Sequence, residues 1–366
     1  MLRRDFVTQL FLAAPLAASV KPVKVGLLTD AEERWGAHLN FFLDALARCQ
    51  YVEQVALSDT QGGNAAKARK VFGARYPDLR SYSNHAEMIR EFRPDLAIVT
   101  LEAHRAPGPI EQALEGGCHV LAEKPACVRV QDFERLAALA DARKRHLMLA
   151  LATRLYPDVL QARSLIQGGY LGKIYAVKMR FLADQTRLGL PDYQRSWRAS
   201  KAKAGGGHLM WLGLHYLDVI QFITGQRIEQ VSAYTANVGG KPPDVEDAAV
   251  VNLRFEGGVL GTLQSAYYLD SGYSNEIVIW GSDGWIRLEP GERLRWYSKR
   301  AGKQVNEAVQ PGRFALEAYL ALTQSAINTC RGMEPPIVTA PEGLQALRIV
   351  FAAYRSAQTG MAQAIE

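Results

Sequence analysis

The chain has 366 residues, of which 48% are hydrophobic and 22% charged, and its formal net charge is +6. This composition is that of an ordinary globular protein and excludes a fibrous or extensively disordered chain. The Lys and Arg residues are spread along the sequence without a basic block interleaved with aromatics, so we do not expect a nucleic acid partner.

Residues 1–20 have the order of an export signal, with a charged start, a short apolar stretch and small residues at the end. The pair Arg3-Arg4 followed by Asp5-Phe6 resembles a twin-arginine (Tat) signal, which exports folded proteins. The apolar stretch is too short to span a bilayer as a stable helix. We therefore expect a periplasmic or otherwise exported protein without a stable membrane anchor. The alternative is a frayed N-terminal helix on a protein that stays in the cytoplasm.

Apolar strands and amphipathic helices alternate between residues 21 and 152. The predicted strands are 23–28, 52–57, 96–100, 119–122 and 146–151, and the predicted helices are 35–48, 65–72, 85–92, 110–115 and 130–144. This alternation predicts an α/β domain of the Rossmann type, with a doubly wound parallel sheet. Ligands of such sheets bind at the carboxyl ends of the strands.

From residue 153 to residue 366 the pattern changes to short β-branched and aromatic runs separated by turn signals. The predicted strands are 174–181, 228–237, 247–255, 259–266, 275–280 and 284–288, and the predicted helices are 209–222, 315–329 and 341–358. These runs favour a second α/β domain with a large, mostly antiparallel sheet that is open on one face. We expect the last helix, 341–358, to pack back near the first domain.

The turn after the first strand is where a dinucleotide-binding glycine loop belongs. Such a loop needs glycines so that backbone N–H groups reach the pyrophosphate. Here the segment retains only Gly26 and Gly36, and Asp30, Glu32 and Glu33 add negative charge. Taken alone, it is better interpreted as a plain βαβ turn, although Gly26 and Thr29 are placed where they would contact a nucleotide.

Asp59 closes the second predicted strand, roughly where an acid binds the ribose hydroxyls of a dinucleotide. Thr60 and Gln61 follow it, so no arginine stands beside it in sequence to receive a 2′-phosphate. This favours NAD over NADP without excluding NADP. The alternative is an ordinary strand-end aspartate in a turn.

Five blocks of residues, in the same order, resemble the glucose-fructose oxidoreductase / inositol dehydrogenase / MocA family. The blocks are Cys118 to Pro125 with its HVxxEKP pattern, Arg154-Leu155-Tyr156-Pro157, Trp197-Arg198 ahead of Gly205-Gly206-Gly207, Gly213 to Asp218, and Tyr354-Arg355-Ser356. The resemblance covers nearly the whole chain after the first twenty residues. It implies a Rossmann domain followed by an α/β domain whose open sheet makes homo-oligomers.

The resemblance also assigns the chemistry. It implies that Lys124 lies beside the nicotinamide and the reacting hydroxyl, that Glu123 orients Lys124, and that His215 takes the hydroxyl proton. Related enzymes carry an aspartate one helical turn before that histidine, but this chain has Trp211, on the same face if the helix is regular. The Trp211 ring is suited to stacking on a sugar face. The alternative is that Trp211 is core packing and His215 a satisfied helix histidine.

The remaining site residues follow from their places beside these motifs. We expect Thr100, Pro125 and Arg154 near the cofactor, although the proline that usually follows this threonine is missing. Tyr156, Trp197 and Arg198 are candidate substrate residues. Cys49, Cys118, Cys127 and Cys330 form no CxxC pair, so we expect free, mostly buried thiols and no metal site.

These residues lead to the hypothesis of an NAD(P)-dependent oxidoreductase that acts on a ring hydroxyl of a sugar, polyol or glycoside. Because nicotinamide is not recycled outside the cytoplasm, an exported enzyme of this kind is expected to hold its cofactor tightly and to run a redox-neutral cycle. Two alternatives are an NAD-dependent glycosidase that works by oxidation, elimination and reduction, and a non-catalytic sugar-binding accessory protein that keeps the fold.

Overall fold

The computed structural model describes residues 21–30, 38–241, 244–308 and 314–366. The export signal predicted at residues 1–20 and most of the loop after the first strand therefore lie outside the described residues. In the described ranges the chain forms a parallel sheet of six strands and a second sheet of nine. The two-sheet α/β architecture expected from the sequence is confirmed.

The first sheet has the strand order β3-β2-β1-β4-β5-β6, with all pairs parallel. Its strands are β1 Val23–Thr29, β2 Val52–Asp59, β3 Arg80–Tyr82, β4 Leu96–Thr100, β5 His119–Ala122 and β6 Leu147–Leu149. Its helices are α1 Leu39–Arg48, α2 Asn64–Phe72, α3 His85–Phe92, α4 Pro107–Glu115 and α5 Val130–Ala142. Helix α1 buries Leu39, Phe42, Leu43 and Leu46, the apolar stripe that predicted it.

The second sheet has the order β14-β13-β12-β11-β7-β10-β9-β8-β15 and is antiparallel except for the pair β7–β10. Its strands are β7 Ile174–Asp184, β8 Ile228–Ala236, β9 Ala248–Phe255, β10 Leu260–Leu269, β11 Tyr273–Gly281, β12 Gly284–Glu289, β13 Arg293–Ser298, β14 Lys303–Ala308 and β15 Gln363–Ala364. Strands β13 to β15 were not predicted from the sequence, because β13 and β14 carry polar residues at most positions and β15 has two residues.

The helices of this part are α6 Pro157–Gln167, α7 Pro191–Arg195, α8 Lys201–Ala204, α9 Leu214–Thr224, α10 Phe314–Cys330 and α11 Ala340–Thr359. Just before α9, Leu209–Gly213 form one π-helical turn, in which the Leu214 N–H bonds the Leu209 carbonyl five residues back. The predicted regular helix over 209–222 is wrong in this respect.

Helices α10 and α11 come last in the chain but pack against the first domain. Tyr319, Leu322 and Ile327 of α10 share a buried cluster with the residues of α1 and β1. In α11, Gly343 lies against Leu149 and Phe133, and Arg348 pairs with Glu134 of α5. Both helices therefore pack against the first domain.

Candidate active site

The carboxyl ends of the central strands bring three predicted residues side by side. Thr29 at the end of β1 is in register with Asp59 on β2 and with Thr100 on β4. All three side chains are buried, and the Thr100 hydroxyl donates to the Leu28 carbonyl oxygen at 3.4 Å. The edge expected to hold a ligand is therefore formed by these three adjacent strands.

Strand β5 ends next to this edge and leads directly into Glu123-Lys124-Pro125. The Glu123 N–H continues the ladder by donating to the Val99 carbonyl at 2.8 Å. The Glu123 carboxylate is 2.9 Å from His38 Nδ1 and accepts from the Tyr319 hydroxyl at 3.0 Å. Glu123 thus fixes the end of β5 to the start of α1 and to α10, with Lys124 as the next residue.

The Lys124 side chain is 3% exposed and lies at the boundary between the two domains. Its Nζ donates to the Trp211 carbonyl at 2.7 Å, in the π-helical turn, and lies 4.7 Å from the centre of the Trp211 ring. Burial lowers the pKa of Lys124 to about 8, an effect that nearby Arg198 increases and Glu123 opposes. Both the charged and the neutral amine are therefore accessible close to neutral pH.

His215 comes from the second domain, at the start of α9. Its Nδ1 lies 3.3 Å from the Thr153 hydroxyl, which belongs to the first turn after β6. Burial and the nearby charges of Lys124 and His38 hold the pKa of His215 well below its ordinary value. The imidazole is therefore neutral at physiological pH, and its hydrogen-bond partner is a hydroxyl and not a carboxylate.

The position of Trp211 decides between the two interpretations that its sequence left open. It is 4% exposed, and its ring meets the Trp197 ring edge-on at 4.7 Å between centroids. The cations of Lys124 and Arg198 lie 4.7 Å and 4.5 Å from its centre. The indoles of Trp211 and Trp197 are buried, packed rings, which favours the core-packing alternative for Trp211 over stacking on a sugar. The described hydrogen-bond partner of His215 is Thr153 and not a group at position 211.

Arg198 remains at the cleft as a half-buried guanidinium stacked on Trp211, and burial lowers its pKa. Tyr156, in contrast, packs against Phe314 at 6.3 Å between ring centroids and against Gly291. The structure therefore brings Lys124, Arg198 and Trp211 together and leaves Tyr156 beside the first residue of α10. A substrate contact for Tyr156 stays a prediction.

Two residues expected at the cofactor have structural roles instead. A Cβ on Gly26 would lie 2.9 Å from the Met88 methyl and 3.0 Å from Pro94, so this glycine allows packing under the sheet. The guanidinium of Arg154 is used by Asp218, Glu342 and the Ile337 carbonyl. Arg154 therefore ties the end of β6 to α9 and α11 and is not available to a cofactor.

The Asp59 carboxylate is turned into its own loop. It accepts from the N–H groups of Gln61, Gly62 and Asn64 at 3.2, 3.0 and 3.0 Å. These bonds hold the start of α2. The expected contact between Asp59 and a ribose would therefore compete with them for the same carboxylate oxygens. Asp59 is correctly placed on the edge, but its carboxylate is committed locally.

The glycines Gly205-Gly206-Gly207 are required by close approach of other segments. Gly205 has a φ of 80°, which favours glycine. A Cβ on Gly206 would lie 2.0 Å from the Tyr354 hydroxyl, and one on Gly207 would lie 1.8 Å from the Glu246 carbonyl. Glu246 in turn accepts from the Gly207 and Leu209 N–H groups and from Tyr354. The block thus seats the π-helical turn, and with it the carbonyl that binds Lys124.

Three residues of this site were missed from the sequence: His38, Thr153 and Tyr319. Each acts across a large separation, with Tyr319 standing 196 positions after Glu123 and His215 62 positions after Thr153. The only sequence signal for Thr153 is its position next to the block Arg154-Leu155-Tyr156-Pro157. His38 and Tyr319 gave none that distinguishes them from ordinary helix residues.

Residues 36–151 match the family model "Oxidoreductase family, NAD-binding Rossmann fold", and residues 159–287 match "GFO/IDH/MocA C-terminal domain". The chain belongs to the GFO/IDH/MocA oxidoreductase family. Its first domain is an NAD-binding Rossmann domain, and Lys124 and His215 come from the two parts that the models match. The match to the first model begins at residue 36, after β1 and most of the following loop.

Two enzymes and one solved structure illustrate what the chain is similar to. Trans-1,2-dihydrobenzene-1,2-diol dehydrogenase of Bos taurus is 28% identical over 60% of this chain and 62% of that enzyme, which is under two thirds of its length. D-glucoside 3-dehydrogenase of Escherichia coli is 22% identical over 94% of this chain and 98% of the enzyme. The aldose-aldose oxidoreductase of Caulobacter crescentus, solved with glycerol, has the same fold, with a TM-score of 0.78 at 24% identity, covering 94% of this chain and 100% of that chain.

The described ranges contain neither a metal-binding cluster nor a membrane-spanning helix. No group of three or more His, Cys, Asp or Glu side chains there is arranged to hold a metal ion. No helix of those ranges is long and apolar enough to cross a bilayer. The four cysteines are free, and burial raises the pKa of Cys49, Cys118 and Cys127 to about 12, which makes them unreactive thiols.

Proposed function

We propose that this chain oxidises a ring hydroxyl of a sugar, polyol or glycoside, with NAD as the electron acceptor. The observation that carries the proposal is the position of Lys124. A buried amine with a pKa of about 8 directly follows β5 of an NAD-binding domain and contacts the segment that leads to His215 of the other domain. A cleft with an amine on one side and an imidazole on the other is suited to proton transfer at a hydroxyl.

The described residues of the sheet edge fit the nicotinamide end of NAD. Thr29, Thr100 and Pro125 border the edge, and the Lys124 amine lies beside it, where a protonated amine can stabilise negative charge on a substrate oxygen. Bound NAD supplies the acceptor for the hydrogen that leaves the carbinol carbon. The chain itself has to bind the substrate, exclude water and move the hydroxyl proton.

The proton is handled by two groups with different tasks. His215 is neutral at physiological pH, so its free ring nitrogen accepts the hydroxyl proton. Protonated Lys124 stabilises the negative charge that develops on the substrate oxygen. Because a low pKa makes His215 a weak base, we assign Lys124 the larger contribution to the rate enhancement.

The substrate class is supported by the polar groups of the cleft. The indole N–H groups of Trp197 and Trp211 are buried and have no acceptor among the described residues, which is unusual for buried donors. Hydroxyl oxygens of a polyol are acceptors that satisfy such donors, and Arg198 adds further donors beside them. The name of the E. coli relative, D-glucoside 3-dehydrogenase, supports oxidation of a ring hydroxyl.

Activity is tested with the full chain and its His215→Ala variant against a panel of sugars, polyols and glycosides. We expect the wild type to oxidise at least one, and His215→Ala to do so about a hundredfold more slowly, the low end for loss of one proton-transfer group. His146→Ala, an exposed histidine before β6, is the matched control and should be unaffected.

Mass spectrometry of the denatured wild type and a thermal shift with added NAD complete this test. Protein that neither releases a nucleotide nor is stabilised by one would contradict the proposal and favour a non-catalytic accessory protein.

We further propose that the enzyme is exported through its twin arginines and runs a redox-neutral cycle on a tightly held cofactor. The support is the order of residues 1–20, and the name of the Caulobacter aldose-aldose oxidoreductase describes exchange between two sugars. Replacing Arg3 and Arg4 with lysine should retain the protein in the cytoplasm of fractionated cells. An unchanged distribution between fractions would overturn export.

We also propose that the open face of the nine-stranded sheet makes a homo-oligomer. Trp280 and Leu260 lie on either side of Ala176 across three strands, and they are 41% and 59% exposed. Tyr234, 80% exposed, pairs with exposed Val250 on the same sheet. Apolar surface of this kind marks an interface. Leu260→Glu should lower the mass seen by sedimentation, whereas a monomeric wild type would contradict the proposal.

A further inference from the structure

A charged cluster lies at the carboxyl edge of the first sheet, around the ends of β2, β1 and β4. Asp30, directly after β1, is buried with a side chain that is 0% exposed. Its Oδ1 accepts from the Thr60 N–H at 2.6 Å, and its Oδ2 pairs with the Arg105 Nη2. The same Arg105 nitrogen lies 3.4 Å from the Thr60 hydroxyl. The cluster thus joins the segments that follow β1, β2 and β4.

This edge is where a Rossmann domain receives the phosphates of a dinucleotide. In this chain Thr29 and Asp30 occupy the segment in which glycine N–H groups usually face the pyrophosphate. Asp30 stays ionised, because hydrogen bonds from His85 and Thr60 outweigh burial and keep its pKa below the ordinary value. A buried anion repels phosphate unless a cation stands between them.

Arg105 is the cation in that position. Its side chain is 33% exposed, so the guanidinium covers Asp30 from the solvent side. Both of its described contacts use Nη2, which leaves the three N–H donors of Nε and Nη1 in the planar fork that matches a phosphate. Asp59 does not oppose it, since its carboxylate is turned into the loop before α2.

We propose that Arg105 binds a phosphate of the dinucleotide at this edge, where the sequence lacks the usual glycine loop. Asp30 holds Arg105 in place from beneath, and Thr60 fixes the side from which the phosphate enters. The phosphate is either the pyrophosphate or the 2′-phosphate of NADP. The inference rests on the proposed function only in assuming that the edge takes a nicotinamide dinucleotide.

The test is direct binding, measured by calorimetry without turnover. The probes are adenosine, ADP-ribose, NAD and NADP. If the contact is to the pyrophosphate, Arg105→Ala should weaken the binding of ADP-ribose and NAD about tenfold to a hundredfold and leave the binding of adenosine unchanged. A loss confined to NADP would assign the contact to the 2′-phosphate. Wild-type affinity for all of the phosphate-bearing probes in Arg105→Ala would overturn the proposal.

A second pair of variants covers the case in which Arg105→Ala fails to fold because Asp30 loses its partner. Asp30→Asn keeps the shape, removes the buried anion and leaves Arg105 free for phosphate, so it should bind ADP-ribose more tightly than the wild type. Asp30→Asn with Arg105→Ala buries no charge at this point and should lose that gain. Equal affinity of the single and double variants would also overturn the proposal.

Two further measurements separate the possible failures. Arg129→Ala, an exposed arginine before α5, is the control for general charge and should bind all four probes as the wild type does. A wild type that binds none of the probes would contradict both the phosphate contact and the proposed function. Unchanged binding in the Arg105 variants would contradict the phosphate contact alone.

Discussion

Replacing Lys124 with methionine is expected to abolish turnover and, at the same time, to stabilise the folded protein. Loss of a positioned proton-transfer or charge-stabilising group costs about a hundred- to ten-thousandfold in rate, and His215 is too weak a base to compensate. Methionine fills a similar volume without a charge. The rate is measured on the best substrate, and binding of NAD is expected to persist.

The gain in stability follows from the pKa of Lys124. Folding lowers it from 10.5 to about 8, which at about 1.4 kcal/mol per unit means a cost of about 3 kcal/mol when the amine is charged. Losing the bond to the Trp211 carbonyl offsets part of this, so we expect a net gain of about 1–3 kcal/mol at pH 7.

The pH dependence gives this prediction its signature. Between pH 8 and pH 10.5 the unfolded chain binds a proton that folded Lys124 does not, so the stability of the wild type rises with pH in that window. The advantage of Lys124→Met should therefore be full below pH 8 and fade above it. Lys70→Met, at an exposed position of α2, is the control. A variant that is less stable than the wild type at pH 7, or one that retains turnover, would contradict this account of Lys124.

Arg154→Leu is expected to be the most destabilising of the single changes considered, at about 3–5 kcal/mol. It removes the partner of Asp218, whose side chain is 2% exposed and whose pKa burial already raises. It also frees Glu342, which caps α11 together with Thr339. A buried carboxylate without its arginine is the main cost. The free energy of unfolding from urea titration measures it.

Two companion variants make this prediction specific. Arg154→Leu with Asp218→Leu leaves no buried charge and should recover much of the lost stability, since a well-packed apolar pair often replaces a buried ion pair without loss. Arg129→Ala, which removes an exposed ion pair with Asp132, should leave the unfolding midpoint unchanged. If Arg154→Leu unfolds like the wild type but binds NAD weakly, the structural role assigned to Arg154 is wrong.

The layout of the sheets was predictable from local patterns. The buried runs of β1, β4 and β5 and the apolar stripe of α1 show their periodicity within a few residues. The place of Lys124 was predictable because a short motif directly follows a strand, and the end of a parallel strand fixes which edge its loop occupies.

The partners of the site residues were not predictable, because they are set by packing between distant segments. Arg154 stands in a block that resembles the family, yet its partners lie on α9 and α11. Asp59 is at the expected strand end, but its side chain turns into its own loop and binds backbone N–H groups there. Arg105 reaches the end of β2 from the loop after β4. An arginine therefore lies close to Asp59 in space, although none is next to it in sequence.

The π-helical turn at Leu209–Gly213 changes how this chain should be aligned with relatives whose helix is regular. Each residue of an α-helix turns by about 100° about the helix axis. The π-helical turn contains one residue more than a regular turn, so the residues before it are rotated about the axis relative to His215. Counting four positions back from the histidine therefore compares residues that do not occupy the same space. The spatial counterpart of a relative's acid is the group beside the imidazole, which here is Thr153, 62 positions earlier in the chain.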